Sequence, residues 1–205
     1  MEIISPNKEG IDIIVKKILK GDIVVVPTDT VYGIAVHPYK NKGIKEIFLL
    51  KKRPLNKPMM LLCSSLEMAK KYVIFNKIAL KLVKNFWPGP LSLILEKKKK
   101  LKIAKKWISK NNSIGIRVPN NKIIRKIIKK CNFPIFCTSA NLSDKKSYNN
   151  IKDIIKNFNL KEISVVNGGK TKFKNESTII DVRDNKLNIL REGYLNKKEI
   201  KKIWK

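Results

Sequence analysis

The chain has 205 residues, with 46 Lys and Arg against 16 Asp and Glu and a formal charge of +30. That length suits a single domain over residues 1–205, and 43% hydrophobic residues suffice for a core, which excludes wholesale disorder. No run approaches the ~20 apolar residues of a membrane span. Met1-Glu2-Ile3-Ile4-Ser5-Pro6 lacks the basic-then-apolar pattern of a signal peptide, so a cytoplasmic, membrane-free protein is expected.

Apolar runs of strand type alternate with segments of helical period. Asn7 is placed to cap a helix burying Ile11, Ile14, Val15, Ile18 and Leu19, with Gly21 closing it. Ile23-Val24-Val25-Val26 is β-branched throughout and suits a strand buried on both faces. Val31 to Ala35 follows a short polar turn, and residues 42–50 read as a helix on Ile44, Ile47 and Phe48. Met59 to Cys63 is a short strand. Residues 77–86 form a helix through Ile78, Leu82, Val83 and Phe86, stopped by Trp87-Pro88-Gly89-Pro90.

Leu91 to Leu95 is a strand, and Lys97–Lys100 with Lys105-Lys106 a solvated loop. Ser113 to Val118 is another strand, residues 121–130 a basic helix, and Phe133 to Cys137 a buried strand. A helix at about 150–158 precedes the strand Ile163 to Val166. Thr178–Val182 and Leu187–Leu190 flank Arg183-Asp184-Asn185-Lys186, which predicts a hairpin. A C-terminal helix carries Ile200, Ile203 and Trp204. The alternation predicts an α/β domain with a mixed sheet.

Cys63, Cys131 and Cys137 are odd in number and show no CxxC spacing, and His37 is the one histidine. A zinc site needs about four ligands, so buried thiols are the reading. Only five of the basic residues are Arg. The rest are Lys in a chain rich in Ile and Asn, where composition alone can account for them. A charge of +30 still attracts polyanions, without implying sequence-specific recognition.

Three polar loops interrupt the apolar strands. Pro27-Thr28-Asp29-Thr30-Val31-Tyr32-Gly33 sets two hydroxyls and a carboxylate beyond a buried strand, where open α/β sheets bind ligands; a capped turn is the plain alternative. Lys51-Lys52-Arg53-Pro54-Leu55-Asn56-Lys57-Pro58 offers four cations on a stiffened loop, either for phosphate or simply for solvent. Thr138-Ser139-Ala140-Asn141 offers neutral hydrogen bonds, or a cap. Asn167-Gly168-Gly169-Lys170-Thr171 imitates the end of a P-loop, but the required earlier glycine is Ser164. A P-loop is therefore rejected.

Taken in order, seven segments resemble the YrdC-like family, the L-threonylcarbamoyladenylate synthases also called TsaC. They are Pro27 to Gly33, Lys51-Lys52-Arg53-Pro54, Trp87-Pro88-Gly89-Pro90-Leu91-Ser92 and Gly115-Ile116-Arg117-Val118-Pro119, then Ser139-Ala140-Asn141, Glu176-Ser177-Thr178-Ile179-Ile180 and Leu190-Arg191-Glu192-Gly193. They span nearly the whole chain, and the short single-domain form is the one resembled. The resemblance implies a twisted, open mixed parallel/antiparallel sheet flanked by helices. It implies a nucleotidyltransferase that converts L-threonine, bicarbonate or CO2, and ATP into threonylcarbamoyl-adenylate and pyrophosphate. A separate transferase complex then makes N6-threonylcarbamoyladenosine in tRNA. Mg²⁺ would come bound to the nucleotide, with no metal site of the protein, and tRNA is a further partner for the basic surface.

By resemblance, Lys51 and Arg53 are the catalytic cations. Arg53, Lys57, Ser113, Ser139, Asn141, Ser147 and Arg191 bind ATP. Thr30, Arg117, Cys137 and Ser177 bind L-threonine, with Arg117 on its carboxylate. Three positions depart from relatives: Leu62 stands where some carry His, Thr138 where Pro is frequent, and Glu192 likewise. Two other readings stay open. One is a non-catalytic RNA-binding protein of the same fold, favoured by the charge. The other is the carbamoyl-adenylate chemistry of hydrogenase-maturation carbamoyltransferases, which carry zinc-finger and other domains missing here.

Overall fold

The structure, a computed structural model, describes residues 1–99, 101, 103, 111–158, 162–184 and 186–204. The first helix, α1 (Lys8–Lys20), starts where Asn7 accepts the Gly10 N–H at 2.8 Å and ends at Gly21, whose φ of +99° favours a residue without Cβ. Ile11, Ile14, Val15 and Ile18 are buried as the spacing predicts. Leu19, expected with them, lies at the edge of that stripe and is 47% exposed.

Ten strands of the described residues form one sheet: β1 (Glu2–Ile4), β2 (Val24–Val26), β3 (Gly33–Val36), β4 (Met60–Leu62), β5 (Leu91–Glu96), β6 (Ser113–Arg117), β7 (Ile135–Ser139), β8 (Ser164–Val166), β9 (Thr178–Asp181) and β10 (Asn188–Arg191). Their order across the sheet is β1-β8-β2-β3-β7-β4-β6-β5-β9-β10. β1, β8 and β2 run parallel, as do β4 with β6 and β5 with β9. The other neighbours are antiparallel, including the predicted β9–β10 hairpin, which carries an irregularity between Ile189 and Arg191. The mixed α/β sheet is thus observed. The edge strand β1 was not predicted; it has three residues, and Ile3 is 52% exposed. β7 runs two residues further than expected, so Thr138 and Ser139 belong to the strand and not to a loop.

The remaining helices are α2 (Asn41–Leu50), α3 (Leu66–Lys70, unpredicted), α4 (Lys77–Phe86), α5 (Lys122–Cys131), α6 (Ile151–Asn157) and α7 (Lys197–Trp204). Asn121 caps α5 through the Ile123 and Ile124 N–H groups, and Asn132 closes it at φ +61°. Successive strand residues point to opposite faces. Val24, Val26, Ala35 and Ile135 therefore pack with Ile14, Ile18, Ile124 and Ile128 of α1 and α5. Val25, Ile34, Val36 and Phe136 pack with Ile44 and Ile47 of α2 and Leu82 of α4 on the other side. Both faces are covered over β2, β3 and β7, which explains their near-continuous apolar sequence. Among the described residues no helix is long and apolar enough to cross a membrane. Lys100, Lys105, Lys106 and Asn185, named above in a charge run and a turn, lie outside the described residues.

Candidate functional site

Toward β4, β6 and β5, the face that α1 and α5 cover elsewhere opens into a small pocket of about 70 Å³. Register sets its walls. Met60 pairs with Gly115 and Cys137, Leu62 pairs with Arg117, and Gly33 pairs with Ser139. Glycine is needed at two of these points. A Cβ on Gly33 would overlap Cys137 Sγ and come within 3.2 Å of the Thr138 carbonyl, and one on Gly115 would overlap Met60 Sδ. Met60, Leu62 and Cys137 form an apolar wall, while Thr28, Thr30, Ser92 and Ser177 supply hydroxyls. Ser92 Oγ and Ser177 Oγ lie 2.9 Å apart. Burial pushes the Cys137 thiol up to about 12, against the opposing pull of Arg117 and Lys51, so it faces the pocket as a neutral, weakly polar group.

Arg117 is the charged side chain on this wall, and three elements fix it. Its Nε donates to the Gly89 carbonyl at 2.9 Å, Nη1 to Thr30 Oγ1 at 2.9 Å, and Nη2 to Asp29 Oδ1 at 2.5 Å. The Trp87–Pro90 stop of α4 therefore has a second use, since it presents the Gly89 carbonyl. Arg117 and Asp29 are 5% and 1% exposed. Burial lowers the Arg117 pKa, while the Asp29 carboxylate opposes that shift and favours the charged guanidinium. Three of five N–H groups are engaged, and two remain for a ligand.

Ser139 joins this pocket to a basic cleft of about 580 Å³. The cleft is lined by Lys51, Arg53, Lys57, Lys145, Lys146, Lys174 and Arg191, with Asp144 and Glu176 the acids. Lys51 closes its floor, only 1% exposed. Its Nζ donates to the Ser139 carbonyl at 2.6 Å, the Asn141 carbonyl at 2.5 Å and Asn141 Oδ1 at 3.0 Å. Burial lowers the Lys51 pKa to about 7, helped by the nearby Arg53 charge. Arg53 donates Nε to the Lys57 carbonyl at 3.1 Å and Nη2 to the Pro58 carbonyl at 2.8 Å, which leaves three N–H groups. Lys57 bonds both oxygens of Asp144, at 2.7 and 2.9 Å. Glu176 receives Arg191 Nη1 and Ser147 Oγ, while Arg191 Nε and Nη2 turn to the Ser177 carbonyl at 3.2 and 2.9 Å.

The family model of Sua5, YciO and YrdC proteins, described as "Telomere recombination", matches residues 16–193. The chain belongs to the Sua5/YciO/YrdC family. A Methanocaldococcus jannaschii protein, provisionally named a threonylcarbamoyl-AMP synthase, is 35% identical over 191 residues, which cover 92% of this chain and 88% of that one. A Pyrococcus abyssi threonylcarbamoyl-AMP synthase is 33% identical over 190 residues, 91% of this chain but 54% of its own length. The crystal structure of P. abyssi Sua5 complexed with L-threonine superposes with a TM-score of 0.92 at 31% identity, covering 99% of this chain and 61% of that one. The chain thus spans little more than half the length of the P. abyssi proteins.

In this Sua5/YciO/YrdC chain, the four residues expected about L-threonine, namely Thr30, Arg117, Cys137 and Ser177, all line the small pocket. Of those expected about ATP, Arg53, Lys57, Ser139, Asn141, Ser147 and Arg191 line the cleft, with Lys51 beneath them. Ser113 lines neither cavity; it is buried at the start of β6, two residues before Gly115. Leu62, the position of His in some relatives, is an apolar part of the pocket wall. His37 packs on Phe133 at 4.2 Å between ring centroids and lies outside both cavities.

Among the residues that sequence reasoning left unassigned are Thr28, Asp29, Ser92, Asp144 and Glu176, each bonded to an expected contact. The P-loop imitation turns out to be a brace. Tyr32 Oη donates to the Gly169 carbonyl at 2.7 Å and accepts the Gly168 N–H at 3.1 Å, and Thr171 Oγ1 donates to the Thr30 carbonyl at 2.7 Å. The segment thereby holds the Thr28–Tyr32 loop in place. Among the described residues no group of three His, Cys, Asp or Glu could hold a metal ion.

Proposed function

We propose that this protein forms threonylcarbamoyl-adenylate from L-threonine, bicarbonate or CO2, and ATP, with release of pyrophosphate. One observation carries the reading. A small pocket built on one buried guanidinium shares Ser139 with a larger cleft rich in cations. An amino acid in the first and a triphosphate in the second would meet at that junction.

The chemistry needs no protein nucleophile. The threonine ammonium gives up two protons to solvent as its nitrogen bonds the carbon of CO2, bicarbonate supplying that CO2 by loss of hydroxide as water. The carbamate oxygen then attacks the α-phosphorus, and the bond to pyrophosphate breaks. The chain's task is to position the reactants and balance charge. In this reading Arg117 takes the threonine carboxylate on its two unused N–H groups, and the hydroxyls of Thr30 and Ser177 orient the side chain. Met60, Leu62 and Cys137 enclose its methyl group. Arg53 has three N–H groups for phosphate oxygens, with Lys57 and Arg191 beside it, and Ser139, Asn141 and Ser147 hold the nucleotide through neutral bonds. Lys51 acts from beneath, as a charge and as the anchor of the Ser139–Asn141 backbone.

The nearby carboxylates, Asp144 and Glu176, are engaged by Lys57 and Arg191, so Mg²⁺ would be held by the phosphates and water and would add to charge neutralisation there. The product's onward use, as the donor for N6-threonylcarbamoyladenosine in tRNA by a separate transferase complex, belongs to the same proposal. Pyrophosphate release tests it. With Mg²⁺ and ATP, release should require both L-threonine and bicarbonate and should not occur with glycine. Release that ignores threonine would overturn the reading.

A further inference from the structure

The small pocket and the cleft beside it differ sharply in charge. Among the described residues seven cations and two acids line the cleft, whereas Arg117 is the one charged side chain lining the pocket. Directly behind Arg117 stands Asp29, 2.5 Å from it and buried from solvent. Among the described residues this is the one ion pair with both side chains buried; the others leave at least 15% of each side chain exposed. Among the described residues Asp29 Oδ2 has no protein hydrogen-bond partner, although its burial makes that costly. Packing does not require a half-satisfied carboxylate here. Ionic balance does, because Arg117 alone would be a strong attractor for any carboxylate able to enter.

We propose that Asp29 sets the ligand charge that this pocket accepts: by neutralising Arg117 in advance, it makes the pocket select a zwitterionic amino acid over an anion of the same shape. The proposal rests on reading the pocket as an amino-acid site and adds to it a specificity-determining residue that does not touch the ligand. A zwitterion enters with no net charge and exchanges two N–H bonds with Arg117. An anion lacking the ammonium adds a second negative charge beside Asp29 with no cation of the pocket left to balance it, whereas the carbamate formed after threonine has bound would set its new charge toward the Ser139 side, where the cleft's cations stand. The phosphate-binding cleft is spared this balance because its cations outnumber its acids.

The test compares L-threonine with 2,3-dihydroxybutanoate of matching configuration, in which a hydroxyl replaces the ammonium. Dissociation constants are measured by calorimetry for the full chain and for Asp29→Asn, a neutral variant of nearly the same shape. The unaltered chain should prefer threonine at least tenfold. Asp29→Asn should shrink that preference tenfold or more, chiefly by tightening the anion. A preference unchanged by the substitution overturns the proposal. So does a preference near one in the unaltered chain, which decides the matter even where Asp29→Asn fails to fold. Binding of neither compound to the unaltered chain would remove the amino-acid reading itself, a result distinct from binding both equally.

Discussion

Lys51 and Arg53 stand two positions apart and differ in what they have left to give. Lys51 spends its N–H groups on the Ser139 and Asn141 oxygens, whereas Arg53 keeps three free. The lowered pKa of Lys51, about 7, makes a signed prediction. At pH 8 the free protein holds it partly neutral, with one of its three donated bonds given up, and a triphosphate overhead favours the ammonium. MgATP binding at pH 8 should therefore take up a substantial fraction of a proton, and at pH 6 very little. Calorimetry in buffers of different ionisation enthalpy reads this directly, and Lys51→Met should abolish it. Arg117→Ala leaves Asp29 buried without its cation, so it should cost ~3–5 kcal/mol of stability. Adding Asp29→Asn to that variant should restore part of the loss in urea unfolding.

Between elements, close approach decides the geometry. β3 and β7 bring Gly33 against Cys137, so Gly33→Ala should destabilise by ~1–3 kcal/mol. Cys137→Ala in the same chain removes the overlapping sulfur and should recover most of that loss; no recovery would show that the Thr138 carbonyl sets the limit. Elements with strong caps and stripes were legible in the sequence, as Asn7, Gly21 and Ile11 to Ile18 illustrate. β1 and α3 were not, because three and five residues carry too little periodicity to read. The end of β7 was misjudged because Thr138 and Ser139 look like turn residues. Their pairing with Ile34 and Gly33 overrides that preference. The polar blocks showed which side chains belong to the site. They did not show that Asp29 meets Arg117, since that contact spans 88 positions and depends on the folded sheet. A lone acid between two threonines, in a chain with 16 acids against 46 cations, was the available signal.

Taken as a molecule, the protein sets two cavities of opposite character next to each other, with Ser139 in the wall of both. One is small, largely neutral and walled by β4, β5, β6 and β7; the other is large and basic. The surrounding charge of +30 concentrates polyanions near the cleft without selecting among them. Selection would fall to the small pocket and to the Ser139 junction, where the amine, carbon dioxide and α-phosphate would have to meet. The most direct measurement follows the carbon. The protein is incubated with MgATP, L-threonine and 13C-bicarbonate, quenched quickly, and the product mass is read. We predict threonylcarbamoyl-AMP one mass unit heavier than its unlabelled form, seen only when all three substrates are present. Pyrophosphate release with no labelled adduct, or an adduct formed without threonine, would contradict the account.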